Sequence, residues 1–485
     1  MLKIFNTLGK KLEEFKPQKP GHVSMYVCGP TVYSYLHVGN FRGPVFFNLV
    51  RNWLELSGYK VTYALNFTDV DDKILRRAIE ENKSANEVAE FYISEYWKDF
   101  LALGLTGHEH NPKVTEFIPE IIKMISALIE KNKAYVAVND VNFAIEEFKG
   151  YGKLSGRKVD ELREGVRIDV NENKKNPLDF ALWKAAKPGE QLSWESPWGM
   201  GRPGWHIECS AMIEGLFGDQ IDIHGGGLDL MFPHHENEIA QSEGCLEHSF
   251  VKYWMHWNML NFSGSKMSKS VGNVVTMREF LNEHHPEIYK WMILSVHYRS
   301  VADFGDESIE RAVTGLAKFY SALAMAENVK AGNEAMAVAD EKYKTELEAA
   351  WKSIELAMNE DFGTPAAFAA VFDVIRKFNS RIRRGMKVTP AVVSQCEQFI
   401  SFVRKFGAML SLFQEAPESF LTALDDKLLA KLGHERAAID TLVAERTKAR
   451  DAKDFAKADE FRKKLTDMSI AVSDTPTGSF WEVAK

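Results

Sequence analysis

Between Val23 and Phe67 the chain reads strand, helix, strand, and that order constrains the fold more than any other stretch. Val23 to Cys28 is a short apolar run that Gly29-Pro30 ends. From Pro44 to Ser57 the apolar residues Val45, Phe46, Leu49, Val50, Trp53 and Leu54 recur at the helical period. Pro44 suits a first helical turn and Gly58 a C-terminal cap. Lys60 to Phe67 then alternates as a second strand. Such a βαβ unit is the building block of a parallel nucleotide-binding sheet. Ligands of these sheets sit beyond the carboxyl ends of the strands, where Cys28 and His37 fall.

Two short segments sharpen that expectation. Leu36-His37-Val38-Gly39-Asn40 places a His and a Gly between strand and helix, where a phosphate would sit. His37 can donate to a phosphate oxygen, and Gly39 lets a nucleotide approach the backbone. Lys266-Met267-Ser268-Lys269-Ser270 puts two lysines among small polar residues, able to screen the charge on a departing pyrophosphate. A solvated lysine loop and a chance His-x-Gly are the bland alternatives, and either motif alone is weak. Together, in this order and context, they point to chemistry on a nucleoside triphosphate.

A second constellation has metal-ligand character. Cys28 lies at the strand end and Cys209 in Trp205-His206-Ile207-Glu208-Cys209. His234 and Glu238 are four apart, so on a helix both reach one ion. Two thiolates, an imidazole and a carboxylate make a tetrahedral zinc set. The helical metalloprotease motif fails, because Ile239 stands where a second His is needed after His235-Glu236. Taken singly, Cys28 or Cys209 is a buried small hydrophobe, and Cys245 and Cys396 are assigned that role. Four widely spaced cysteines form no disulfide framework in a chain of this size.

With 485 residues the chain exceeds one core, and two to four domains are expected. The net charge of -8 gives no global basic field, so a nucleic-acid partner needs a local basic surface. The N-terminus lacks the apolar core of a signal peptide, and no apolar run approaches the roughly 20 residues that span a bilayer. A cytoplasmic protein with no membrane contact is expected. Residues from about 100 to 200 read as an insertion, with a helix over Phe117 to Lys131 and loop-rich sequence over Arg157 to Asn176. Gln220 to His224 reads as a strand and Gly225-Gly226-Gly227 as the loop after it. Beyond about residue 310 the sequence is mostly helical, broken near Gly332 and at Ala416-Pro417. Arg376, Lys377, Arg381, Arg383, Arg384 and Lys387 form a basic run with no acid between them, either a nucleic-acid phosphate contact or a solvated helix face.

The segments Tyr26–Tyr33, Asn66–Lys73, Gly201–Ser210, His224–Leu230, Phe232–Glu238, Lys266–Ser270 and His297–Ser300 resemble those of class I aminoacyl-tRNA synthetases, and among them the cysteinyl-tRNA synthetases. The resemblance implies an α/β fold. A Rossmann-type parallel-sheet catalytic domain (1–110 and 196–255) would be split by a connective insertion (111–195). A stem-contact region with the lysine loop (256–310), a helical bundle (311–412) and a small C-terminal anticodon-binding domain (413–485) would follow.

The resemblance also implies the reaction. Cysteine carboxylate attacks the α-phosphate of ATP, giving cysteinyl-adenylate and pyrophosphate, and the cysteinyl group then passes to tRNA(Cys). Mg²⁺ would accompany ATP, and one Zn²⁺ per chain would sit on Cys28, Cys209, His234 and Glu238. No covalent enzyme intermediate is required. Lys269, Lys266 and His37 would be catalytic, and with Gly39, Asn40 and Ser268 they would bind ATP. Gly29, Thr31, Thr68, Trp205 and Asp229 would surround L-cysteine, with Trp205 walling the pocket and Thr68 and Asp229 orienting the ammonium and carboxylate region. Zinc binds thiolate well, whereas an apolar pocket separates cysteine from serine by only a few kcal/mol. No editing motif is seen in the insertion, and the resemblance favours a monomer.

The family's usual first motif is His-Ile-Gly-His, and here Asn40 stands at the second His. A cysteine ligase of the mycothiol pathway shares the catalytic half but lacks the distal anticodon domain. A catalytically silent relative that binds tRNA is the alternative outside enzymology, and Asn40 is its only support. Trp481, near the C-terminus, reads as a base-stacking platform or as a core side chain of its own domain.

Overall fold

The computed structural model describes residues 1–158, 174–262, 265–266, 274–334, 340–383, 385–475 and 478–484, with backbone alone at 265, 266 and 475. Its centre is a four-stranded parallel sheet of β1 (His22–Val27), β2 (Lys60–Leu65), β3 (Ile221–Gly227) and β4 (Val251–Trp257). The spatial order is β4-β3-β1-β2. The chain runs outward from β1 to β2, then returns past β1 to build β3 and β4 on the other side. The switch point therefore lies between β1 and β3, where Cys28 N–H donates to the Gly225 carbonyl at 3.0 Å.

Helix Arg42–Leu56 covers one face of the sheet and follows a 3₁₀ turn over Val38–Phe41. It starts two residues before Pro44, which the ring tolerates because first-turn N–H groups need no intrahelical acceptor. The triple glycine is not a loop. Gly225, Gly226 and Gly227 are the last residues of β3 and pair with Met255, His256 and Trp257 of β4. A glycine run signals a turn only when nothing packs on it. Here a Cβ at Gly225 would lie 2.2 Å from the Phe47 ring, and one at Gly226 2.3 Å from the His235 ring. The strand can run there only without side chains.

Between β2 and β3 the chain forms helix Ile118–Glu130 and a four-stranded antiparallel sheet of Ala134–Ala137, Asp140–Phe143, Phe180–Ala185 and Gly201–Pro203. The helix agrees with its sequence pattern. The strands are three to six residues long, too short to show a period.

Helices Asp306–Lys330, Glu341–Asn359, Thr364–Arg381, Pro390–Leu410 and Pro417–Lys431 follow, with breaks at Gly332 and Pro417 as read. The chain ends in helices Arg436–Asp451 and Phe455–Asp467 and a hairpin, Ile470–Thr475 with Gly478–Val483. This end has its own apolar cluster, with Ile439, Leu465, Ile470 and Trp481 at its heart. Among the described residues, no helix is long and apolar enough to cross a membrane.

Candidate active site and metal centre

The switch point opens into a cavity of about 460 Å³. Its walls bring together Cys28, Gly29, Thr31, His37, Gly39, Asn40, Thr68, Trp205, Cys209, Asp229 and His234, drawn from both halves of the sheet. Of the site residues expected from sequence, Glu238 lies behind this wall, fully buried. Ser268, Lys269 and the side chain of Lys266 lie outside the described residues.

At the cavity floor four ligand atoms converge. Cys28 follows β1, Cys209 sits in helix Trp205–Phe217, His234 in the turn Met231–His235, and Glu238 in helix Glu236–Leu246. Cys28 Sγ is 3.7 Å from Cys209 Sγ and 3.7 Å from Glu238 Oε1, and His234 Nε2 is 3.0 Å from Glu238 Oε1. All four atoms lie within 4.8 Å of one another. Tetrahedral bonds of about 2.3 Å to sulfur and about 2.0 Å to nitrogen or oxygen imply ligand separations of roughly 3.3–3.8 Å. The donors therefore fit one zinc-sized ion without large movement.

The electrostatics suit a cation. Hydrogen bonding from Cys28 holds the Cys209 thiol down at about 6, against the opposing effect of burial, with His234 assisting. Burial pushes the Cys28 thiol well up. Burial disfavours a charged His234, yet Glu238 and Cys209 raise it to about 10. Burial likewise opposes ionisation of Glu238, but His224 and His234 hold it well below the usual carboxylate range. The pocket thus carries negative charge offset by a proton on His234, which a metal would displace.

A histidine shell that sequence reasoning missed surrounds these ligands. His224 Nε2 is 2.8 Å from Glu238 Oε2, and His206 Nδ1 is 3.0 Å from His234 Nδ1. His235 Nε2 is 3.4 Å from Cys28 Sγ, and its Nδ1 is 2.8 Å from His256 Nε2. His256 Nδ1 ends the chain at Thr7 Oγ1, 2.9 Å away. Such partners fix the orientation of ligands. The signal available in sequence was adjacency, since His206 and His235 neighbour the expected site residues Trp205 and His234. Glu236, fully buried beside them, accepts main-chain N–H groups from Gly152 (2.9 Å), Leu154 (3.3 Å) and Ser155 (2.8 Å) of the insertion.

Above the floor, Trp205 stacks on His234 with centroids 4.4 Å apart at 24°. It is 40% exposed, so it walls the cavity and is no core residue. Thr68 Oγ donates to Glu208 Oε2 at 3.0 Å, leaving hydroxyl lone pairs to accept from a ligand. Burial pushes the Glu208 carboxyl well up, with the Cys209 charge adding to it. Gly29 N–H donates to Asn66 Oδ1 at 2.8 Å, and a Cβ at Gly29 would fall 1.7 Å from the Asn66 carbonyl oxygen. Only glycine allows β1 and β2 to close at this point.

At the mouth, the first motif is hydrogen-bonded to residues that follow the lysine motif in sequence. Val38 N–H donates to Val275 O at 3.0 Å, and Met277 N–H to Leu36 O at 2.9 Å. Asn40 Oδ1 accepts the His37 N–H at 3.1 Å and so shapes the 3₁₀ turn. Arg42, fully buried, donates to the carbonyls of Met259, Ser300 (2.6 Å) and Tyr298 (3.3 Å). These carbonyls flank Leu260–Phe262 and Ala302–Phe304, the paired strands beside Ser265–Lys266. Arg42 thus ties the first motif to the root of the lysine loop.

Two expectations at the distal end change. In the basic run, Arg376 and Lys377 pair with Asp373, Lys377 at 2.7 Å, and Arg381 pairs with Glu346 at 2.7 Å. Two acids from outside the run, Asp373 and Glu346, therefore offset two of its six charges. Arg384 lies outside the described residues. Trp481 packs in the small C-terminal core, its Nε1 donating to Asp440 Oδ1 at 2.8 Å with Arg436 over the ring at 4.6 Å. It is a core side chain, and the base-stacking alternative is withdrawn.

Comparison with known proteins agrees with this geometry. Residues 14–314 match the family described as tRNA synthetases class I (C) catalytic domain. Residues 353–414 match the DALR domain, and 435–481 the cysteinyl-tRNA ligase anticodon binding domain. A protein of Bdellovibrio bacteriovorus named cysteine–tRNA ligase is 64% identical over 485 residues, covering 100% of both chains. One of the same name from Geobacter metallireducens is 45% identical over 491 aligned positions, covering 99% of each. The solved Mycobacterium tuberculosis methionyl-tRNA synthetase in complex with methionyl-adenylate superposes with a TM-score of 0.62 at 14% identity, over 86% of this chain and 94% of that one, a likeness of fold. The chain belongs to the cysteinyl-tRNA synthetase family of class I aminoacyl-tRNA synthetases.

Proposed function

We propose that this ligase activates L-cysteine with ATP as cysteinyl-adenylate, transfers it to tRNA(Cys), and selects cysteine over serine through zinc held by Cys28, Cys209, His234 and Glu238. The observation that carries the reading is the convergence of these four donors at the floor of the cavity whose mouth holds His37, Gly39 and Asn40. When bound, zinc supplies a site for the substrate thiolate that a serine hydroxyl does not match at neutral pH.

The chain's own residues do the rest. Trp205 walls the amino acid, and Thr68 and Asp229 accept from its ammonium. Gly29 and Thr31 line the path to the α-phosphate. His37 and Asn40 hold the nucleotide beside Gly39. Lys266, Ser268 and Lys269 neutralise departing pyrophosphate, with Mg²⁺ on the ATP. The proposed boundaries are the catalytic halves at 1–110 and 196–255, the insertion at 111–195, the stem-contact region at 256–310, the bundle at 311–412 and the anticodon end at 413–485. The enzyme is proposed to act as a cytoplasmic monomer, where ATP and tRNA are found.

The test is ATP–pyrophosphate exchange on purified protein with cysteine and with serine, alongside zinc content. Exchange with cysteine alone and one zinc per chain is expected. Exchange with serine at a comparable rate would defeat zinc selection, and no exchange with bound zinc would defeat activation and make Asn40→His the first reversion.

A further inference from the structure

The ligands that converge on Glu238 form two overlapping sets. In the outer set Cys28, Cys209 and His234 line the cavity, with Glu238 behind them. Cys28, His224, His235 and Glu238 satisfy the same criterion, with donor atoms within 4.8 Å of one another. In this inner set Cys28 Sγ lies 3.4 Å from His235 Nε2, which is 3.9 Å from Glu238 Oε1, and His224 Nε2 is 2.8 Å from Glu238 Oε2. The Cys28–His235 separation matches a tetrahedral edge of a zinc-sized ion, while the other two, 3.9 Å and 2.8 Å to different oxygens of Glu238, bracket an edge of about 3.3 Å and require the carboxylate to turn. His224, His235 and Glu238 are fully buried, and of the inner four only Cys28 touches the cavity.

The inner imidazoles are held firmly. His235 is oriented from behind by His256 at 2.8 Å. The His224 ring stacks on Trp254 at 4.5 Å and meets Tyr26 edge-on at 5.4 Å. Glu238 offers one carboxylate oxygen to each side, Oε1 toward His234 and Oε2 toward His224.

We propose that Cys28, His224, His235 and Glu238 form a second, inner metal position that a divalent ion occupies as an alternative to the outer one. The two positions share Cys28 and Glu238, so an ion moves between them by exchanging Cys209 and His234 for His224 and His235. The outer set offers two sulfurs, one nitrogen and one oxygen, and the inner set one sulfur, two nitrogens and one oxygen. Thiophilic zinc is drawn outward, and nitrogen-favouring ions such as Ni²⁺ inward. An ion in the inner position is sealed from the cavity and cannot meet a substrate thiolate. The pocket would thus hold a metal that is bound and yet silent. The inference rests on the metal-centre reading above through Cys28 and Glu238, and adds His224 and His235 as its own donors.

Cobalt(II) loading with X-ray absorption counting of sulfur neighbours separates the two positions. Wild type is expected to hold one Co²⁺ with two sulfurs at about 2.3 Å. Cys209→Ala/His234→Ala, which removes both ligands private to the outer set, is expected to keep one Co²⁺ with one sulfur. If this variant, folded by circular dichroism, holds no cobalt, or holds it with no sulfur neighbour, the inner position is refuted and His224 and His235 are hydrogen-bond partners only. If the alanine pair does not fold, Cys209→Ser/His234→Gln carries the same test. Wild type without cobalt would instead overturn the outer centre, while His224→Ala/His235→Ala, expected to keep two sulfurs, checks that the outer set stands by itself.

Discussion

The main-chain N–H of Val38 donates to the carbonyl of Val275 at 3.0 Å, so the first signature motif and the chain leaving the lysine loop form one hydrogen-bonded unit. Val275, after the lysine motif in sequence, is thus held by the turn that carries His37 and Asn40, and Met259, before it, by Arg42. The role proposed for Lys269 is on the charge of departing pyrophosphate, a task separate from that of Thr68 and Trp205 at the amino acid. Lys269→Ala is therefore expected to slow cysteine-dependent exchange by about 10²–10³-fold with little change in the KM for cysteine. An unchanged rate would remove Lys269 from the chemistry.

Cys28, like Glu238, belongs to both donor sets, so neither set stays complete without it. Cys28→Ser is expected to abolish stoichiometric metal binding and cysteine activation together. Elemental analysis and exchange on one sample decide this, and full metal content in the variant would count against the assignment.

Trp481 fills the small C-terminal core and donates to Asp440. Trp481→Ala is expected to cost about 3–5 kcal/mol of that unit's stability, visible as an earlier calorimetric transition, while exchange stays unchanged. A rise in the KM for tRNA with no thermal shift would return Trp481 to base stacking.

His108 packs against Tyr63 at 4.6 Å and Phe100 at 4.9 Å, with Asn111 Nδ2 3.0 Å from its Nδ1. Burial, with the nearby Arg51 charge, holds it down at about 3 against an ordinary 6.5. Between these values the unfolded chain binds more protons than the folded one, so stability rises with pH across the window and is lost as pH falls from about 6.5 toward 3. His108→Gln is expected to shrink the difference in Tm between pH 7 and pH 5. An unaltered difference would show that other groups carry the acid sensitivity.

The catalytic half was legible because its signals are local. The period from Val45 to Leu54 gives the helix, a Cys at the end of an apolar run gives one ligand, and four-residue spacing gives two more. What stayed hidden depends on contacts between distant segments. His224, His235 and His256 join the metal shell only when β3, β4 and the helix from Glu236 are packed together. The glycines of β3 look like a loop until Phe47 and His235 are seen against them. The short strands of the insertion carry too few residues for any pattern, and the pairing of Arg381 stayed hidden because Glu346 lies on another helix.

The hold of Gly152, Leu154 and Ser155 on Glu236 sets an order of assembly. Until those N–H groups arrive, Glu236 is a carboxylate with no partners, and sinking it into the interior costs several kcal/mol. The helix that carries Glu238 is therefore secured only after the insertion has closed on it. Under the proposed metal centre, ligand geometry then depends on the docking of the insertion, and metal affinity would report it.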